Sequence, residues 1–489
     1  MFFFSLLDRT CKSKWFKAYE HDENGKSPGD ALRCDLMASA IMGARIRLMI
    51  GENYITEADS LLDKGNDLHA QLLHHVSKAS WNTFEEDAYW SWSTMNTAGH
   101  RFVTYYNVGS SLSRGNSSTK VAVKWFANPD KLQDAFYSND QKGNNVDGFG
   151  VEDLKDAIKR GHDFRCVSNK EDFFSFQNLQ FKDDVVAGQN VRCLGAIIRG
   201  TKLVFKDTPY WRYKILTSNG TRDTSKWTVG THRSRGHKTD TASCEWFRDP
   251  CWKLIFSHDG TGKSLSGLRE ELMSAILSGS RVRIQLPSGD YFTTEADNLS
   301  IRNGHVTAQT LKYISKSSVE KFQDNAYWVW LMVSTTGTVK ATRYNVGSHK
   351  HRGDSTEHQQ VRWYIDTRSW TLALSHDQDG NVMSGSKDQL LEAVRTGAEV
   401  RCVHNDGKYA FSTQNLEIHG KDIAAQSLNQ VSMRPVKGNP NEIEIEPNAY
   451  WQFTIVDTTG RRDISRWNVG EHVPRGHTND RLGMQWFVS

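Results

Sequence analysis

Nothing in these 489 residues spells a familiar catalytic device: the chain has no Gly-rich phosphate loop, nucleophile elbow, zinc-type cysteine pattern or HExxH. Familiar enzymes are excluded by this, whereas an unusual enzyme without a cofactor would leave no such mark. Only nine prolines and no low-complexity run are present, which excludes a disordered chain. No block of Lys and Arg stands out, and 61 basic against 57 acidic residues leave a formal charge of +4, so no nucleic-acid partner is expected. No stretch approaches the roughly 18 apolar residues of a membrane-crossing helix. The opening Met1–Asp8 has no basic segment before its apolar run and makes a poor signal peptide. A soluble protein with no membrane partner is expected.

Cysteine is scarce and oddly placed. The seven residues Cys11, Cys34, Cys166, Cys193, Cys244, Cys251 and Cys402 mostly do not recur at the period described below, as a shared disulfide would require; Cys166 and Cys402 do correspond, but Leu48 and Ile284 in the same place mark an apolar core position. They read as free thiols in a reducing compartment, the cytoplasm. Asn116, Asn219 and Asn298 each open a glycosylation triplet and leave secretion open.

Aromatic residues are plentiful instead. Sixteen Trp and 22 Phe suit small aromatic cores in β-sheet, and a mean hydropathy of -0.62 describes a polar surface around them. Internal repetition organises these residues. Asp22, Asp140, Asp259 and Asp377 open a D-x-x-G turn, at spacings of 118, 119 and 118. A helical pattern follows in each unit, for example Val151, Leu154 and Ile158, Leu268, Leu272 and Ile276, or Leu390, Leu391 and Val394. Ser266 and Ser386 are candidate N-caps, and Gly43, Gly161, Gly279 and Gly397 stand where a left-handed residue ends a helix. A strand then carries Arg47, Arg165, Arg283 or Arg401, and another ends at Gln71, Gln189, Gln309 or Gln426. Units two and four are longer beyond this point, at 199–207 and 435–447, where an exposed loop is expected. A Tyr-Trp hairpin and a final Trp-Phe or Trp-Tyr strand close each unit.

The fold expected is α+β and mainly β: four tandem repeats of about 118 residues, each a twisted antiparallel sheet or small barrel with one short helix. The boundaries read as a capping strand at 1–12 and repeats at 13–128, 129–249, 250–366 and 367–489. They stand in a row or a closed ring.

The foremost candidate surface is the loop V-G-x-H-x-x-R-G, which supplies His232 and Arg235, His349 and Arg352, and His472 and Arg475. Unit one keeps Arg114 but has Ser111 for His. An exposed Arg offers a fork of donors to an anion; the plainer role is capping its own loop through backbone carbonyls. The Tyr-Trp pairs, with Trp90, Trp211, Trp328 and Trp451, are candidate stacking platforms for sugars or bases, with core packing the plainer role for at least one residue of each pair. Arg47 and its equivalents fit a fixed buried network. The Asp turns lack the ligands of a calcium loop and read as tight turns, so no metal is expected. Arg352-Gly353-Asp354 reads as local variation in the Arg-Gly loop.

Because all four units keep nearly the same polar set, the expectation is a multivalent binding or cross-linking protein without a cofactor. Its ligand would be a carbohydrate, an anionic small molecule or a protein. The alternative is a cofactor-free or unusual enzyme, such as an oxidoreductase acting on an aromatic small molecule, with one pocket in or between units.

Overall fold

Alternating apolar and polar residues make strand the default for most of this chain, and in the computed structural model 60% of it is strand. The structure describes residues 15–29, 32–64, 67–128, 135–169, 172–199, 202–206, 208–249, 251–287, 292–471 and 473–489. The expected capping strand at 1–12 lies outside them. Among the described residues, four helices of nine residues interrupt the strands: α1 (Arg33–Ile41), α2 (Val151–Lys159), α3 (Arg269–Leu277) and α4 (Lys387–Arg395).

The segment 250–366 shows the topology. Its closing strand Val361–Asp366 pairs with Trp252–His258 on one edge and Val282–Leu286 on the other. Val282–Leu286 leads into the long strand Phe292–Arg302, which starts an antiparallel meander through His305–Ile314, Tyr327–Ser334, Thr338–Asn345 and His351–His358. The closing strand, the helix and the long meander recur in the other three segments, with added or missing short strands. Each closing strand brings a Trp with no exposed surface to the centre of its own cluster, as Trp125, Trp246, Trp363 and Trp486.

The long strands join the segments to one another. Tyr54–Lys64 pairs with Asp172–Lys182, that strand with Phe292–Arg302, that with Tyr409–His419, and Tyr409–His419 returns to Tyr54–Lys64. The chain therefore closes on itself as a ring.

Side chains lock every seam. The glycine after each helix has positive φ, between 77° and 90°. It packs on the closing aromatic of the next segment: Gly43 on Phe247, Gly161 on Tyr364, Gly279 on Phe487 and Gly397 on Phe126. Arg47 donates to the carbonyl of Gly397 at 2.8 Å and Arg165 to that of Gly43 at 2.6 Å, so each cation meets the negative end of a neighbouring helix. Gln189, Gln309 and Gln426 each bond both backbone groups of one residue in the following segment, Ile314, Val431 and Val76.

Charge alternates around the ring. Arg45, Asp163, Arg281 and Glu399 recur every 118 residues. Glu399 is paired with Arg45 and lies 3.6 Å from both Arg281 and Arg368. Burial alone would raise the Glu399 carboxyl, but these arginines outweigh it and hold it well below the usual range.

Several expectations are corrected. The longer stretches of units two and four are β-hairpins, Ala196–Arg199 with Lys202–Phe205 and Met433–Val436 with Asn439–Ile445. Phe205 is buried against Trp92 and Tyr106 of the first segment, which holds the first of them in place. The strand carrying the recurring Gln runs on past it, for example to Ile314. Ser386 caps α4 by accepting from Gln389 N at 3.1 Å, but the N-cap of α3 is the exposed Leu268 and Ser266 bonds Ser257 instead. Cys34, Cys166, Cys244 and Cys402 are free, whereas Cys251 is disulfide-bonded. Among the described residues no helix is long and apolar enough to cross a membrane.

Candidate functional site

The four loop arginines share one geometry. Arg114, Arg235, Arg352 and Arg475 are exposed on the return strands of their hairpins. Each donates Nη1 to a carbonyl 27 residues upstream, that of Asp87 at 2.9 Å, Thr208 at 3.0 Å, Asn325 at 2.9 Å and Asn448 at 3.2 Å. Each guanidinium also lies over the tyrosine of its own Tyr-Trp pair: 4.7 Å from the Tyr89 ring, 4.8 Å from Tyr210, 4.6 Å from Tyr327 and 5.0 Å from Tyr450. Carbonyl and ring fix the cation on the rim in one orientation. The Tyr-Trp pairs stand out in the sequence, but the link of each Tyr to its Arg does not, although each precedes its Arg by 25 residues in all four units.

Three residues before Arg114, Arg235 and Arg352, the chain turns through a left-handed residue, with φ of 54° at Ser111, 50° at His232 and 57° at His349. These turns touch across the seams. A Cβ added to Gly230 would stand 2.8 Å from the Ser111 carbonyl oxygen, one on Gly347 3.2 Å from that of His232, and one on Gly470 3.3 Å from that of His349. The Val-Gly step is therefore a close approach of neighbouring backbones. The His232 and His349 rings lie 4.1 Å apart at 60°; His472 falls outside the described residues. No group of three or more His, Cys, Asp or Glu suited to a metal occurs among the described residues.

The tryptophans of the Tyr-Trp pairs are half-buried in the seams. Trp211 meets Trp92 edge-on at 5.1 Å, Trp328 meets Tyr213 at 5.2 Å, Trp451 meets Trp330 at 5.1 Å, and Trp90 meets Phe453 at 4.9 Å. The last contact joins the first segment to the fourth.

The remaining candidates are internal. In each Asp turn one carboxylate oxygen accepts from two backbone N–H groups, as Asp377 does from Asp379 and Asn381, both at 2.9 Å. The Asp354 carboxylate of the Arg-Gly-Asp triplet lies 2.9 Å from His351 Nε2. Between the segments 129–249 and 250–366 there is a cavity of about 390 Å³, lined by apolar side chains such as Phe292, Val329 and Leu331 and by polar ones that include Asn178, Lys316, Arg343 and Glu357.

No protein-family model matches the chain, and no curated protein matches it in sequence. Among solved structures it has a faint likeness to the crystal structure of cobalt-substituted Synechocystis ACO, 7% identical over 91% of this chain and 96% of that one, with a TM-score of 0.11. A likeness of that size carries no argument about fold or function.

Proposed function

We propose that the chain is a multivalent binding or cross-linking protein of four equivalent modules, 13–128, 129–249, 250–366 and 367–489, each an antiparallel sheet with one helix. The observation that carries this reading is the fourfold recurrence of one exposed Arg held by a carbonyl and a Tyr ring. Orienting a guanidinium before a ligand arrives lowers the entropic cost of binding. A carboxylate or sulfate can take donors of the fork other than Nη1, and a sugar can lie against the adjoining Tyr edge. The ligand class is therefore an anionic small molecule, a carbohydrate or an acidic protein surface. In this reading Trp90, Trp211, Trp328 and Trp451 space the sites rigidly, and His232 and His349 support the loops. Four rigidly spaced sites raise avidity for a repetitive ligand without any new contact.

The test is calorimetric titration of the full chain with a sulfated disaccharide, alongside binding to a surface bearing it. About four equivalent sites per chain are expected, with surface avidity falling stepwise as Arg114, Arg235, Arg352 and Arg475 are replaced in turn by Gln. Undiminished binding by the quadruple variant would falsify the reading. The enzyme alternative draws support from the cavity between 129–249 and 250–366, and one site per chain with turnover of an aromatic compound would favour it.

A further inference from the structure

The cavity borders a strand position that is hydrogen-bonded across a related seam. In the seam joining 367–489 to 13–128, Tyr54 donates its hydroxyl to Asn415 Oδ1 at 2.9 Å, and Thr56 donates to the same atom at 2.9 Å. Strand register puts Asn178 in the place of Asn415 and Phe292 in the place of Tyr54 at the seam between 129–249 and 250–366. Phe292 brings no hydroxyl. Asn178 is 1% exposed, and neither its Oδ1 nor its Nδ2 has a partner. A buried amide with all its hydrogen bonds unmade is costly, and it lines the cavity.

A second change opens the other end. Three segments carry an arginine at one hairpin position: Arg101, Arg222 and Arg462. Arg222 reaches Asp240 on the neighbouring strand through two bonds of 2.6 and 2.9 Å, and Arg462 reaches Asp480 through bonds of 2.8 and 2.5 Å. The third segment has Val339 there, opposite Glu357. Its carboxylate faces the cavity without the arginine that answers Asp240 and Asp480. Beside it, Arg343 donates to Ser355 Oγ at 2.9 Å and also lines the space. Val329, Leu331, Val339 and Phe292 form the apolar wall between these polar ends. The corresponding strand of the second segment has Arg212 and Lys214 in place of Val329 and Leu331. A space of about 390 Å³ falls within the range of small-molecule sites.

We propose that this cavity binds a small phenolic α-amino acid of the tyrosine type. The ligand supplies what this seam lacks: a phenol hydroxyl for Asn178, as Tyr54 gives Asn415, a ring against Phe292 and Val339, and an ammonium for Glu357, in the place of the arginines that answer Asp240 and Asp480. Its α-carboxylate meets Arg343. The proposal does not depend on the rim arginines.

The test is calorimetry and thermal melting of the full chain with L-tyrosine, L-phenylalanine and tyramine. One tyrosine site per chain is expected. Phenylalanine should bind roughly tenfold or more weakly, because it leaves Asn178 unpaired. Tyramine should also bind more weakly, for want of the carboxylate. Val339→Arg restores the side chain of the other three segments and should abolish binding while leaving the melting temperature of the free protein near that of the wild type. Phe292→Tyr, which gives Asn178 its hydroxyl from within, should weaken binding as a second and independent variant. No heat or melting shift with L-tyrosine means that water alone fills the space and overturns the proposal. Equal affinity for phenylalanine, or tyrosine binding undiminished in both variants, overturns it as well.

Discussion

Two half-buried imidazoles can set the pH range over which this molecule is stable. His162 and His404 are both desolvated, and neighbouring Arg248 and Arg462 respectively disfavour their protonated forms further; the imidazoles are pushed down to about 4. An unfolded chain titrates these groups near 6.5, so between about pH 6.5 and 4 the unfolded state binds more protons than the folded one. The stability these two residues provide is complete above pH 6.5 and is lost as pH falls toward 4. We expect the melting temperature to decline across that window, and the decline to flatten in a His162→Gln, His404→Gln variant. An equally steep decline in the variant would place the titration elsewhere. The turn aspartates act lower: Asp22, Asp140, Asp259 and Asp377 are held below the usual carboxylate range, chiefly by hydrogen bonds within their turns. Their contribution is lost only when pH falls below the ordinary carboxylate value.

At the scale of elements, the glycine closing each helix has two tasks. Gly161 needs a left-handed φ of 86°, and a Cβ there would stand 2.3 Å from the Tyr364 ring of the next segment. Gly161→Ala should cost roughly 2–5 kcal/mol, the sum of a left-handed penalty and overpacking of an aromatic, measured by urea denaturation. A loss below about 1 kcal/mol would show that Tyr364 yields freely. Only the first of these tasks was legible in the sequence. Helix ends, D-x-x-G turns and hairpin tips declare themselves because a handful of adjacent residues specify φ and local bonds. The long stretches of units two and four were misread because a hairpin there depends on a partner far away, with Phe205 lying against Trp92 and Tyr106. The same limit applies to the candidate site. Its arginines stood out by recurrence, but the Tyr partner was hidden behind a 25-residue interval and the cavity behind differences between seams.

At the scale of the whole molecule, closure makes the four segments interdependent. In an open array a terminal unit has one neighbour, and its removal sacrifices one interface. Here the long strand Tyr409–His419 pairs with both Phe292–Arg302 and Tyr54–Lys64, and Trp90 packs on Phe453 just as Trp211 packs on Trp92. Glu399 adds a charge argument, since its buried carboxylate is shared among Arg45, Arg281 and Arg368. Without it, Arg45 and Arg281 lose the partner that joins them across the ring and keep only Glu57 and Glu295 of their own segments. Deleting 367–489 should therefore abolish cooperative folding of the remaining residues instead of removing a quarter of the stability. We expect the fragment 1–366 to lack a sharp thermal transition by calorimetry, while the full chain unfolds in a single one. A fragment melting sharply near the temperature of the full chain would mean that the segments are held as a row and that the pairing of Tyr54–Lys64 with Tyr409–His419 adds little.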